Sequence, residues 1–373
     1  MPIRLTVRAA IATALAIASL SFVAAAPALA DAGAPEDAPS PEFFGMQSWV
    51  SPDAEDMTVL KRAGIGMVRI VFVGHLGRKR HNTRWAPYDR LMTSAAKERI
   101  EVVPTLLGTM HARPHRPLTA AGRRKWGEFV TDVARRYGRG GTFWAQHGDL
   151  EPMPLTSFQV WNEPNLPAYW SPATDAAGYV RFVSQTRALL RAVDPNVTIV
   201  LGGLPDSRLG MPALDYLRKV YKQPGARTAF DVVALHPYSR YSTGVMRALN
   251  RTRLLMDRRG DTEAAIWITE LGWSTDGPRS QFRTTRRGQA DRIRYTLSAM
   301  IAARERLRLE RVIWFGLQDR EYGTEEKPWW GPRVGLFDVQ GRPKPGWNTF
   351  VEFTGGEPAE RLRSVSARAA EAS

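Results

Sequence analysis

The 373-residue chain contains no cysteine, which excludes disulfides, thiolate metal sites, cysteine nucleophiles and thiol redox chemistry. Without covalent staples its fold rests on an apolar core, and a chain this long with 43% apolar residues can bury one of sufficient size. Beyond the N-terminal segment no run approaches the roughly 18 consecutive apolar residues of a spanning helix. The first strand candidate, Phe43-Phe44-Gly45-Met46, is followed by no glycine-rich phosphate loop, which argues against an open, doubly wound nucleotide-binding sheet. No nucleophile elbow is present to seat a serine triad.

Acidic residues are outnumbered, 37 against 52 basic ones, for a net charge of +15. A basic surface can attract anionic polysaccharide, membrane or nucleic acid. Many arginines fall instead on helix exteriors (Arg123, Arg124, Arg135, Arg136, Arg187, Arg191, Arg258, Arg259), as arginine-rich composition alone produces. The latter reading is preferred, and a nucleic-acid partner is not expected.

Residues 1–30 have the form of an export signal: Arg4 and Arg8, an alanine-rich apolar stretch, then Ala28-Leu29-Ala30 before Asp31. A secreted or cell-envelope protein is expected, with no membrane insertion after cleavage. Residues 31–40 read as a linker, 41–354 as the globular body and 355–373 as a frayed, disordered tail. Nothing in the sequence bears on oligomeric state.

Within the body, short apolar runs alternate with amphipathic stretches. Strands are predicted at 43–46, 67–71, 100–104, 158–161, 197–201, 231–235, 265–269 and 311–315. Helices are predicted at 54–63, 88–98, 120–137, 175–193, 213–221, 244–257, 289–305 and 346–353. Eight such units predict a single-domain α/β fold, the (β/α)₈ or TIM barrel, which normally needs about 250 residues.

In such a barrel the reacting groups sit at the carboxyl ends of the strands. Two glutamates fall there: Glu163, in Trp161-Asn162-Glu163-Pro164-Asn165 after the fourth strand, and Glu270, in Trp267-Ile268-Thr269-Glu270-Leu271-Gly272-Trp273 on the seventh. Each alone reads as a helix cap or salt-bridge partner; together they match the requirement of glycosidic bond cleavage. One protonated carboxyl protonates the leaving oxygen and one ionised carboxylate meets the developing oxocarbenium ion. Arg69, on the second strand, is the candidate cation that keeps one of them ionised, or else a charge plugging the barrel. Trp49, Trp85, Trp161, Trp170, Trp273, Trp314, Trp329 and Trp330 are predicted at or beyond strand carboxyl ends, where indoles stack on sugar rings. His111 and His115 have metal-like spacing, but Pro114 and Pro117 oppose a helix there, so neither metal nor cofactor is expected.

The two glutamate motifs resemble the acid/base and nucleophile motifs of clan A glycoside hydrolases, and within the clan the chain looks most like family 39 and family 5-like retaining enzymes. The resemblance spans residues 41 to 354. It implies a retaining glycosidase with Glu163 as acid/base and Glu270 as nucleophile, acting on a carbohydrate substrate. It further implies that Asn162 binds the sugar 2-hydroxyl, that His236 and Tyr238 flank the nucleophile, that Arg69 is the clan's second-strand arginine and that Trp314 is the aromatic floor of the first sugar subsite. Trp170, Trp273, Trp329 and Trp330 suggest further subsites, a lean towards oligo- or polysaccharide. A catalytically silent carbohydrate-binding barrel is the alternative.

Overall fold

The computed structural model describes residues 39–76, 83–110, 113–114, 116–117, 119–323 and 327–364. The expected signal, most of the linker and the His111/His115 pair lie outside them. Eight strands form the barrel: β1 Phe44–Gln47, β2 Met67–His75, β3 Glu101–Met110, β4 Ser157–Val160, β5 Thr198–Leu201, β6 Val232–His236, β7 Ala265–Leu271 and β8 Leu309–Phe315. They pair in parallel in the order β2-β1-β8-β7-β6-β5-β4-β3, and β3 returns to β2, which closes the ring.

Eight helices alternate with them: α1 Ala54–Arg62, α2 Trp85–Glu98, α3 Ala120–Tyr137, α4 Ala176–Arg191, α5 Ala213–Tyr221, α6 Ser242–Arg258, α7 Arg286–Leu307 and α8 Pro345–Thr354. Four start on a side-chain cap: Asp53, Thr119, Asp175 and Thr285 each accept from the backbone N–H three residues on. The strands read as continuous apolar runs because both faces are covered, one by helices and one by the barrel interior.

Strand alternation divides the core in two. Inward residues Met67, Val103, Val200, Val232, Ala234, Ala265, Trp267 and Ile313 fill the barrel, while outward neighbours pack under the helices. At the amino end of the barrel Arg311 pairs with Glu101 and lies 4.4 Å over the Trp267 ring, whose Nε1 donates to Glu310. That end is plugged, so substrate access falls to the carboxyl end. Among the described residues no helix is long and apolar enough to cross a membrane.

The first ten residues of the expected frayed tail depart from that expectation, and the other nine lie outside the described residues. Residues 355–364 are docked: Leu362 is buried, its N–H donates to Gly341 O at 2.8 Å, and Arg363 pairs with Asp53 and Glu55 before and within α1. Polar composition hid a segment held by ion pairs and backbone bonds rather than by an apolar face.

Candidate active site

Glu163 lies three residues past the end of β4, in a turn rather than on the strand. Trp161 (φ 74°) and Glu163 (φ 44°) both adopt left-handed backbone, at about 1–3 kcal/mol each, the kind of strain that persists only where surroundings enforce it. Trp161 N–H donates to Leu106 O at 2.9 Å, Gln159 Nε2 to Trp161 O at 3.0 Å and Leu166 N–H to Glu163 O at 2.9 Å. The buried Asn165 side chain donates to Pro205 O and Met211 O at 2.8 and 2.7 Å, clamping the turn to the next loop.

Glu270 is the penultimate residue of β7. The β7–β8 register shifts here, since Val312 faces Ile268 but Trp314 faces Leu271. A shift of this kind re-aims side chains. Thus consecutive residues Thr269 and Glu270 both bond towards the barrel axis, Thr269 to His236 and Glu270 to Arg69. One oxygen each from Glu163, Glu270 and a ring nitrogen of His236 lie within 4.8 Å of one another.

Arg69 is a buried hub. Its Nη1 donates to Glu270 Oε1 at 2.8 Å and also to Gln47, its Nη2 to Asn162 Oδ1 at 2.8 Å, and its Nε to Gln159 Oε1 at 2.8 Å. The guanidinium therefore fixes strands one, two, four and seven relative to each other, and is more than a plug. Tyr238 Oη donates to the other Glu270 oxygen at 2.7 Å. Asn162 and Tyr238 therefore both stand within one hydrogen bond of the Arg69–Glu270 pair.

His236 joins the two carboxyls. Its Nδ1 is 2.8 Å from Glu163 Oε1 and 3.5 Å from Glu270 Oε2, and its Nε2 is 3.1 Å from the Thr269 hydroxyl. The fully buried ring owes its seat to Gly203, where an added Cβ would stand 2.0 Å from Nε2.

The environments push the two carboxyls apart. Burial holds Glu163 above the ordinary carboxylate range; the Glu270 charge adds to this and the His236 bond works against it. Glu270 is also raised by burial, but His236, Arg69 and the hydrogen bonds from Tyr238 and Arg69 outweigh it and hold Glu270 below that range. The site therefore keeps one acid protonated at a pH where its neighbour is ionised. Glu163, His236 and Glu270 are the one group among the described residues close enough to hold a metal ion. Both Glu270 oxygens already receive hydrogen bonds, one from a guanidinium that would repel a dication.

The aromatic residues require the largest correction. Trp314 is buried, donates to Val334 O and packs on Phe350 of α8, so it points out of the barrel. The inward residue is its neighbour Phe315, packed 4.7 Å from Trp49 and 6.3 Å from Tyr238. One step along a strand reverses the face. Trp170 is buried with Trp161, Tyr179 and Phe182 between barrel and helix, and Trp273 is buried against Trp314; neither lines the mouth. Trp85 packs on Tyr137 at the end of α3. Trp49, Trp329 and Trp330 do gather at the mouth with Phe282, Phe315 and Tyr238.

Several site residues gave no sequence signal. Gln47, Gln159 and Thr269 are ordinary polar residues of strands, identifiable only by facing inward one layer above the apolar filling. Tyr169, in the loop after Glu163, has its phenol pushed up by burial and by both carboxylates, beside Asn162. Lys344, a buried residue at the start of α8, pairs with Asp319 at 2.7 Å and donates to Thr275 at 2.8 Å, tying together the loops that follow β7 and β8.

Residues 81–343 match the family model described as the glycosyl hydrolase catalytic core. Similar solved structures include a family 39 glycoside hydrolase from Bacteroides cellulosilyticus WH2 (15% identity, TM-score 0.60, 85% of this chain and 64% of that one). A glucosidase from Croceicoccus marinus is similar at 13% identity and TM-score 0.63, over 87% of this chain and 68% of that one. A monomeric β-xylosidase from Caulobacter crescentus CB15 is similar at 18% identity and TM-score 0.58, over 84% of this chain and 68% of that one. The chain thus spans about two-thirds of the length of these structures, and at such identities the likeness is one of fold. No curated protein matches by sequence.

Proposed function

The chain belongs to the glycosyl hydrolase catalytic core family, and from that membership we propose that it cleaves glycosidic bonds of oligo- or polysaccharides by double displacement, with retention of the anomeric configuration. The carrying observation is the Glu163–Glu270 pair, with oxygens within 4.8 Å and pKa values driven in opposite directions. Inverting enzymes set their carboxyls about 6.5–9.5 Å apart to admit a water; retaining ones need about 5 Å.

In the first step a Glu270 oxygen attacks the anomeric carbon. The bond from that carbon to the glycosidic oxygen breaks, and the Glu163 proton passes to the departing oxygen. In the second, Glu163, now ionised, takes a proton from water, whose oxygen displaces Glu270 from the anomeric carbon. Arg69 and Tyr238 hold Glu270 ionised and aimed before attack. Asn162, oriented by Arg69, is the group beside the sugar 2-hydroxyl. Trp49, Trp329, Trp330 and Phe315 supply the ring faces on which sugars stack. Export through residues 1–30 would place this activity outside the cytoplasm, and N-terminal sequencing of protein from the culture medium tests it.

A panel of chromogenic glycosides, with the product anomer followed by NMR, tests the reaction. The first-formed sugar should carry the substrate's configuration, and Glu270→Gln should abolish turnover. Initial appearance of the opposite anomer would refute retention; a Glu270→Gln protein as fast as wild type would remove Glu270 from the mechanism. A folded wild type that turns over nothing but binds the same sugars would be the silent barrel.

A further inference from the structure

Away from the barrel mouth, the outer surface between α6 and α7 carries a groove of about 870 Å³. Arg247 and Arg251, one helical turn apart on α6, line one side; Arg292 and Tyr295, three residues apart on α7, line the other. Tyr295 is 70% exposed and Tyr241, at the head of α6, is 54% exposed. The guanidinium groups of Arg240 and Arg292 lie 5.1 and 5.9 Å from the Tyr241 ring.

What marks this surface is that three arginines without acidic partners among the described residues, Arg247, Arg251 and Arg292, converge on one groove. Some helix arginines have acidic partners, as Arg136 has Asp89, Arg187 has Asp231 and Arg294, two residues from Arg292, has Glu352. Others, Arg258 and Arg259 among them, stand on open surface with none among the described residues. Among the described residues, Arg240, Arg247, Arg251 and Arg292 have none. Arg292 Nη1 is moreover buried with no hydrogen-bond partner. A buried donor left unmade is costly, and native proteins rarely leave one without a reason. Only Asp291 brings an acidic group to the lining.

Unpaired guanidinium groups call for anions, and an exposed tyrosine face beside them calls for the apolar face of a sugar ring. We propose that the α6–α7 groove is an accessory binding site for an anionic polysaccharide, whose carboxylate or sulfate groups pair with Arg247, Arg251 and Arg292 while one ring stacks on Tyr295. The site is separate from the carboxylate pair and would hold polymer against the protein whatever bond is cleaved at the mouth.

Affinity electrophoresis through gels carrying polygalacturonate, dextran sulfate, neutral xylan or no polymer tests this, with short duplex DNA titrated separately. The polygalacturonate and dextran sulfate gels distinguish carboxylate from sulfate recognition; retardation by either supports the site. Wild type should be retarded by an anionic polymer and not by xylan. R247A/R251A should lose at least fivefold of that retardation, and Y295A a smaller part. R258A/R259A, exposed at the end of the same helix, removes equal charge and should be retarded like wild type. All variants should hydrolyse a small aryl glycoside at the wild-type rate, which also shows that they fold. Equal losses in the two double variants, retardation by xylan alone, or tighter binding to DNA than to either acidic polymer would each overturn the proposal.

Discussion

His236 stands between the two glutamates: Nδ1 is 2.8 Å from Glu163 and 3.5 Å from Glu270, so one imidazole touches both groups whose proton affinities differ most in function. The ring can follow the acid through its cycle, because the Thr269 hydroxyl behind Nε2 is able to donate or accept.

Glu163→Gln keeps the shape of the acid and removes its proton. Turnover of substrates with poor leaving groups should fall about 10²–10⁴-fold, and that of dinitrophenyl glycosides far less, because a good leaving group departs unaided. Steady-state kinetics on a leaving-group series checks this; equal losses throughout would deny Glu163 the role of acid.

The pH–rate profile should be bell-shaped. Activity rises as Glu270 loses its proton, below the ordinary carboxylate range, and falls as Glu163 loses its own, above that range. Stability follows the same two groups. The Glu270 contribution is present above its unfolded pKa and is lost as pH falls through the lowered folded value. The Glu163 contribution is present below its unfolded pKa and is lost as pH rises through the raised one. Arg69→Met should move the acidic limb upward and lower kcat, since Glu270 loses its cation. An acidic limb left in place would separate Arg69 from Glu270 ionisation.

Gly203→Ala should displace the imidazole. The new methyl would stand 2.0 Å from Nε2, so ring or backbone must shift. Overpacking of this kind costs about 1–3 kcal/mol. Thermal unfolding should show that modest loss while kcat falls disproportionately, because the Glu163 bond is broken. Wild-type activity in a destabilised protein would show that His236 is dispensable.

Lys344→Met should leave Asp319 buried without its partner, at about 3–5 kcal/mol. Adding Asp319→Leu should recover most of that, because two apolar groups replace a buried pair without an orphan charge. Denaturant midpoints of the single and double variants decide it; a double variant no better than the single would show that the pair contributes through more than mutual compensation.

The ring of strands and helices was legible because each element carries its own period of apolar residues, and the observed bounds fall within three residues of the expected ones, except that β2 and β3 run four and six residues further at their carboxyl ends. Glu163 and Glu270 were legible for a different reason: an acid after a strand end, in a barrel, has few structural uses once a second faces it. The aromatic assignments failed where facing mattered. Trp314 and Phe315 are equally apolar neighbours, and only the register of β8 tells which one enters the barrel. Trp161 and Trp170 sit beyond a strand end in sequence but turn back beneath α3 and α4, since a flat aromatic fills such a gap well. Gln47, Gln159 and Thr269 become informative only once Arg69 and His236 are placed, because their role is to meet a buried donor or ring nitrogen.

A ring of strands has a seam where its first and last units meet, and here ten residues past α8 run across it. Leu362, Arg363 and Glu357 attach that strap to α1 and to the segment before α8. An expression clone cut at Thr354 would therefore leave Asp53 and Glu55 without Arg363 and open the groove that Leu362 fills. A circular permutation would have to carry the strap along with α8.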